Sequence, residues 1–152
     1  MRIRAGLSAI MLAGVVAVAA APAASAAPAS VTAVVTLRSE ATGLCLTANT
    51  HDSQLIRTTG CSGFTEHKWE WIRSARPEFG MLRSVATGLC LDANANGAVY
   101  SNPCNENNTY QWWARQPELD IRHGATGRYL DSNGGGDVYT LGRNGSAYQR
   151  WL

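Results

Sequence analysis

Charged side chains are scarce: Asp, Glu, Lys and Arg make up 16% of the 152 residues, against roughly 25% in an average soluble protein. That scarcity argues against a highly charged disordered chain. It also argues against a nucleic-acid binder, which gathers Lys and Arg on one face. No stretch shows sustained helical periodicity with caps, so a helical fold is not expected. The four Cys contain no C-x-x-C pair and the three His are scattered, which speaks against a metal site; no cofactor is implied. No Ser-His-Asp order with a nucleophile elbow is present, and the length leaves no room for a multi-domain enzyme.

Long apolar runs are absent but for one. Leu7 to Ala21 is interrupted only by Ser8 and Gly14, follows Arg2 and Arg4, and leads to Ala24-Ser25-Ala26. A basic start, a short apolar core and a small-x-small site read as a secretory signal peptide over 1–26. The run is rich in Ala and falls short of the ~20 residues a membrane span needs, so no membrane insertion is expected. Cleavage after Ala26 would leave 126 residues. Losing Arg2 and Arg4 from 13 basic residues leaves 11, against 11 acidic ones, so the mature chain is neutral. In an exported chain four Cys imply two disulfides.

Three segments repeat. Leu37-Arg38-Ser39-Glu40-Ala41-Thr42-Gly43-Leu44-Cys45-Leu46 matches Leu82 to Leu91 and, more distantly, Ile121 to Leu130. The shared Ala-Thr-Gly begins at Ala41, Ala86 and Ala125, 45 and 39 residues apart. Each repeat ends alike, in His67-Lys68-Trp69, Gln111-Trp112-Trp113 and Gln149-Arg150-Trp151. The closing Trp lies 26, 25 and 24 residues after the Gly of Gly43, Gly88 and Gly127. Two anchors in matched register, three times over, define a repeat protein.

Each unit reads as four short strands: Leu-Arg-Ser, Leu-Cys-Leu, a β-branched and aromatic segment (Ile56-Arg57-Thr58, Val99-Tyr100-Ser101, Val138-Tyr139-Thr140), and Gln-x-Trp. Asn, Gly, Ser and Asp fill the turns. Twelve strands are thus expected over repeats of about 35–79, 80–118 and 119–152, preceded by an Ala/Pro leader over 27–34. One unit cannot bury its apolar face alone; three can share a core. Trp69, Trp113 and Trp151 belong to that core, whereas Trp71 and Trp112 fall outside the strict pattern. Cys45 and Cys61 in repeat one occupy the places of Cys90 and Cys104 in repeat two, so the pairing is within repeats. Tyr129 and Arg143 stand there in repeat three. Gly134-Gly135-Gly136 reads as a turn, because no helix follows to make a phosphate site.

Three units of about 40 residues, with G-x-C/x-L early and Q-x-W late, resemble the ricin B-type lectins, which adopt the all-β β-trefoil fold with pseudo-three-fold symmetry. The resemblance covers about 37–152. Repeat three, with Thr126 to Asn133, Val138 to Leu141, Asn144-Gly145 and Tyr148 to Trp151, resembles small actinomycete lectins of that family that bind mannose-rich glycans.

The resemblance implies one shallow sugar pocket per repeat. In repeat three it assigns Asp131, Tyr139, Leu141, Asn144 and Tyr148. In repeat two it assigns Asp92, Tyr100, Asn105 and Tyr110; Asn102 replaces the Leu, and one extra residue precedes Tyr110. Gln111, Gln149 and Asn133 are secondary candidates, and Trp112 is a candidate extra platform. Repeat one has Thr47, Arg57, Ser62 and Glu66 at the four positions, which predicts a pocket dead to the family's sugar. The chemistry is coherent: carboxylates accept hydroxyl protons in charge-assisted bonds, Asn donates and accepts, and Tyr offers a flat amphipathic face.

A secreted, monomeric, non-enzymatic protein whose partners are glycans or polysaccharides is therefore expected. Asp131→Ala is expected to weaken binding while sparing stability. The rival readings are a trefoil inhibitor or toxin-like module that docks on proteins, and a xylan- or galactose-binding module of the same fold. An inhibitor has no reason to repeat Asp, Tyr and Asn in register.

Overall fold

A computed structural model describes residues 33–152. The expected signal peptide, and residues 27–32 of the expected leader, lie outside the described residues. The described chain holds eleven short strands: β1 (Ala33–Val35), β2 (Cys45–Ala48), β3 (Ile56–Thr59), β4 (Trp69–Arg73), β5 (Gly80–Ser84), β6 (Cys90–Ala93), β7 (Val99–Asn102), β8 (Trp113–Arg115), β9 (Ile121–His123), β10 (Tyr129–Ser132) and β11 (Val138–Leu141). Single 3-10 turns at Thr65–His67, Thr109–Gln111 and Ala147–Gln149 precede the last segment of each repeat.

The three-fold plan is visible in the pairing. Each repeat contributes one hairpin, β2–β3, β6–β7 and β10–β11, with four paired positions apiece. Neighbouring repeats join through β4–β5 and β8–β9. Repeat three returns to repeat one where Ser39 pairs Trp151 and where Arg38 and Leu152 exchange backbone hydrogen bonds. This is the β-trefoil.

The expected twelve strands differ from the eleven found in identifiable places. Leu37-Arg38-Ser39 and Gln149-Arg150-Trp151 form isolated bridges rather than strands, because the seam between repeats three and one has too few consecutive hydrogen bonds to make a ladder. Ala33–Val35 is an added strand paired with β4, so positions 33 and 34, expected in the leader, belong to the folded sheet. The Gln of each Gln-x-Trp sits at the end of a 3-10 turn rather than in a strand.

The core is built from equivalent residues of the three repeats. Leu37, Leu82 and Ile121; Leu46, Leu91 and Leu130; Ile56, Val99 and Val138; and Trp69, Trp113 and Trp151 form one apolar cluster. The three Trp are completely buried. A buried indole N–H requires a partner, and each finds the same one: Trp69 donates to Leu46 O (3.0 Å), Trp113 to Leu91 O (3.0 Å) and Trp151 to Leu130 O (3.1 Å). The Trp therefore ties the end of its own repeat to the second strand of that repeat.

The hairpins close on one another in a ring. Ser101 N donates to Gln54 O (3.2 Å), Thr140 N to Gly97 O (2.8 Å) and Thr58 N to Gly136 O (2.8 Å). Gly97 and Gly136 adopt φ of +99° and +91°. A Cβ on either would approach a backbone oxygen of the next hairpin to 2.7 and 2.9 Å respectively. The turns therefore demand glycine twice over, by conformation and by contact.

The disulfides are Cys45–Cys61 and Cys90–Cys104, as the repeat alignment pairs them. Each closes a loop worth about 3 kcal/mol in the chain-entropy account. Replacing Cys90 and Cys104 together by Ser should lower unfolding free energy by about that amount, measured by urea denaturation. A change below about 1 kcal/mol would show that the denatured chain is already constrained there. In repeat three the vacated positions are used differently: the Arg143 guanidinium lies 5.7 Å from the centroid of the Tyr129 ring, and Arg143 also donates to Asp120 (2.8 Å).

Candidate functional site

In each hairpin one cross-strand pair marks the same place: Thr47 opposite Arg57, Asp92 opposite Tyr100, and Asp131 opposite Tyr139. The pair lies where the hairpin meets the 3-10 turn of its repeat. Asp92 and Asp131 are each only 2% exposed. An isolated buried carboxylate is costly unless donors surround it; the Gln of that turn supplies one donor, and the hairpin and the loop before the turn supply the others.

In repeat three, Asp131 Oδ2 accepts from Gln149 Nε2 (3.0 Å) and Asn144 Nδ2 (3.4 Å), while Oδ1 accepts from Ser132 N (2.7 Å). Gln149 Nε2 also donates to Gly142 O (2.9 Å), and its Oε1 accepts from Asn144 N (3.0 Å). Gln149 thus fixes both the carboxylate and the loop carrying Asn144. Tyr139 donates its hydroxyl to Ser132 O (3.2 Å). Tyr148 is 39% exposed, and its hydroxyl lies 4.0 Å from where a Cβ on Gly134 would stand, so it reaches toward the hairpin turn. Leu141 is exposed and, two residues after Tyr139 on β11, shares its face.

Repeat two uses the same frame with different donors. Gln111 Nε2 donates to Asp92 Oδ2 (3.1 Å) and Pro103 O (3.0 Å), and Gln111 Oε1 accepts from Asn105 N (2.8 Å). Asn105 is therefore the backbone counterpart of Asn144. Its side chain, however, accepts from Asn107 N (3.1 Å). The donors to Asp92 are Asn102 Nδ2 and Asn108 Nδ2, each at 3.3 Å. The extra residue before Tyr110 places Asn108 where repeat three uses Asn144. Asn108 was not anticipated from the sequence; the insertion itself was the available signal. Asp92 Oδ1 is buried with no protein partner among the described residues. A cavity of about 430 Å³ opens here, lined by Asp92, Asn94, Asn96, Tyr100, Asn102, Asn108 and Tyr110, together with Ala95.

Burial raises the Asp131 carboxyl above its ordinary range, and the hydrogen bonds from Gln149, Ser132 and Asn144 pull it part of the way back. Burial also raises Tyr139, with Asp131, Asp137 and Tyr148 adding to it. Tyr100 is raised by burial, then by Asp92 and Tyr110. Both phenols keep their protons beside a carboxylate, and Tyr139 uses its proton on Ser132 O.

Other sequence candidates find structural employment. Asn133 organises the β10–β11 turn: its Oδ1 accepts from Gly135 N (2.9 Å) and Asp137 N (3.0 Å), and its Nδ2 donates to Asp137 (2.8 Å). Trp112 stacks on Phe79 at 5.7 Å and donates to Glu106 O (2.8 Å), so one of its faces is covered. The expected stability of Asp131→Ala also changes. With three donors around a buried carboxylate, truncation strands buried N–H groups, which costs about 1–3 kcal/mol.

In repeat one, Thr47 Oγ1 bonds to Thr59 Oγ1 (2.8 Å), which bonds to His67 Nε2 (2.9 Å), while His67 Nδ1 meets Ser62 Oγ (2.9 Å). His67 occupies the place of the Gln residues. A hydroxyl–imidazole chain thus replaces the carboxylate centre, yet a cavity persists.

A family model of the ricin-type β-trefoil lectin domain matches residues 33–151. No curated protein matches the chain in sequence. Among solved structures, the designed three-fold symmetric protein ThreeFoil superposes with a TM-score of 0.68 at 16% identity, covering 78% of this chain and 95% of that one. The C-half of an earthworm R-type lectin in complex with GalNAc gives 0.62 at 17% identity, covering 78% and 95%. SeviL bound to the asialo-GM1 saccharide gives 0.65 at 12% identity, covering 80% and 95%. At these identities the structural likeness speaks for the fold, while the family match spans nearly all described residues. The chain belongs to the ricin-type β-trefoil lectin domain family.

Proposed function

We propose that the protein is a secreted lectin that binds neutral glycans of the mannose type through its repeat-two and repeat-three pockets. The carrying observation is the recurrence of one constellation on two symmetric hairpins: a buried Asp held by the Gln of Gln-x-Trp, a Tyr across the strand from it, a second Tyr from the 3-10 turn, and an Asn amide on the carboxylate. A sugar hydroxyl donating to the carboxylate makes a charge-assisted bond, and a Tyr ring takes the sugar's C–H face. In repeat two, a ligand hydroxyl donating to Asp92 Oδ1 would offset the cost of leaving that buried oxygen unpaired. Mannose is favoured by the similarity of repeat three to small actinomycete lectins such as actinohivin. The two disulfides suit an oxidising compartment. Glycoside hydrolysis requires two carboxylates facing one bond, and Asp92 and Asp131 belong to separate hairpins, each serving its own pocket.

Each site makes a few bonds that compete with water, so single sites should be weak, with avidity arising when two engage one branched glycan. A glycan array probed with the purified protein should show branched mannose-rich glycans above monovalent mannose. Absence of binding to every glycan at high micromolar concentration would overturn the lectin reading. Selective binding of galactose- or xylose-terminated glycans would overturn only the mannose assignment.

A further inference from the structure

The repeat-one pocket is not filled in. A cavity of about 270 Å³ is lined by Thr47, Asn49, His51, Arg57, Thr59 and Glu66. Its residues occupy the positions that build the other two pockets. Thr47 stands in the register of Asp92 and Asp131, and Arg57 in that of Tyr100 and Tyr139. Glu66 precedes His67 as Tyr110 and Tyr148 precede their Gln. The floor has therefore lost its negative charge, and the wall has gained a guanidinium.

The charges in this pocket are poised rather than spent. Among the described residues, the ion pairs involve neither Arg57 nor Glu66. Glu66 Oε1 accepts from Thr50 Oγ1 (2.8 Å), which holds the carboxylate at the rim. Asp137, bridged to Arg57 through the backbone, gives its side chain to Asn133 (2.8 Å). Thr47 and Thr59, linked at 2.8 Å, supply hydroxyls at the floor. Phe64, 70% exposed, borders an adjoining depression that shares Glu66.

We propose that the repeat-one pocket is a distinct site for a carboxylate-bearing sugar, its acid group on Arg57 and its hydroxyls on Glu66 and the threonines. A guanidinium presents a planar fork that matches a carboxylate in two parallel hydrogen bonds. Glu66 then accepts from ring hydroxyls, as the buried Asp is proposed to do in the other repeats. This site rests on the carbohydrate-binding reading of the family but not on the pockets of repeats two and three.

The test is an amide-resolved NMR titration of the purified protein with three separate probes: methyl β-glucuronide, the methyl glycoside of N-acetylneuraminic acid, and methyl β-glucoside. The glucoside keeps the ring of the glucuronide and lacks its carboxylate. At least one acid should shift the amides of Thr47, Asn49 and Thr59 and bind at least tenfold tighter than the glucoside. The acid that does so distinguishes a uronic from a sialic source. Arg57→Gln should weaken that binding at least tenfold and leave thermal unfolding and any mannose response in repeats two and three unchanged. Equal binding of the acids and the glucoside, shifts confined to repeats two and three, or an unaltered affinity in Arg57→Gln would each overturn the site. Because mannose shifts are read at other amides, failure of the neutral-sugar reading is separable from failure of this one.

Discussion

Replacing both Asp92 and Asp131 by Asn should reduce the affinity for a branched glycan at least a hundredfold. Each carboxylate is the one group of its pocket able to accept a sugar hydroxyl in a charge-assisted bond, worth about 1.5–3 kcal/mol. About 1.4 kcal/mol is tenfold in affinity, and losing both sites also removes the gain from bivalent engagement. The effect on folding should be much smaller. Burial disfavours the Asp131 charge, whereas Gln149, Ser132 and Asn144 favour it, so neutralising it returns a desolvation cost while weakening three hydrogen bonds. Asn keeps the shape, which Ala does not. The pH dependence has a defined sign. The folded protein binds the Asp131 proton more tightly than the unfolded chain does, so this residue favours folding increasingly as pH falls through the raised pKa. Glycan binding, which needs the carboxylate, declines over that same window. The difference in thermal stability between the wild type and Asp131→Asn, followed with a glycan titration from neutral pH downward, isolates the effect. Binding by the double variant equal to that of the wild type would reduce both Asp residues to turn organisers.

Trp113→Ala should be the most destabilising single change considered. Truncating a buried Trp costs about 3–5 kcal/mol in lost transfer energy and cavity formation. The Leu91 carbonyl additionally loses its donor at 3.0 Å, and an unpaired buried polar group adds about 1–3 kcal/mol. Against the roughly 5–15 kcal/mol that holds a typical domain, that removes most of the margin. The cavity would also open against His123, whose ring centroid lies 4.7 Å away. His123 spans two repeats, meeting Thr126 Oγ1 (2.8 Å) and Tyr110 O (2.9 Å), so the loss reaches the repeat-two pocket. Urea denaturation measures it; a cost below about 2 kcal/mol would contradict the shared core.

The three-fold plan was legible because it is written in side chains that recur. Trp, Leu and Cys at matched spacing each answer to one buried environment used three times, and the disulfides and the Trp cluster follow directly. The recurrence of Asp and Tyr in two repeats was also legible, but their facing each other across each hairpin came only with the strand register. What escaped was set by backbone geometry. The extra residue before Tyr110 changes which Asn reaches Asp92, a matter of turn shape rather than residue type. Ala33–Val35 shows no alternation, having only an edge position on β4 to satisfy. Trp112 looks available in a linear reading because its partner, Phe79, lies at the end of the preceding repeat. The survival of a cavity in repeat one was hidden for a related reason: lost pocket chemistry does not predict lost pocket shape when the hairpin is held by its neighbours.

The Tyr129–Arg143 contact that stands where the other repeats carry their disulfides has a redox consequence. A thiol reductant opens the links of repeats one and two by exchange at sulfur, but a guanidinium over a phenol ring holds no bond that it can break. The three lobes are thus unequal toward reducing surroundings, and the lobe that carries a cation–π contact in place of a disulfide is the one that carries Asp131, Tyr139 and Tyr148. On passing into a reducing medium, the protein would lose covalent support first around Arg57 and Asp92, and keep the repeat-three pocket longest.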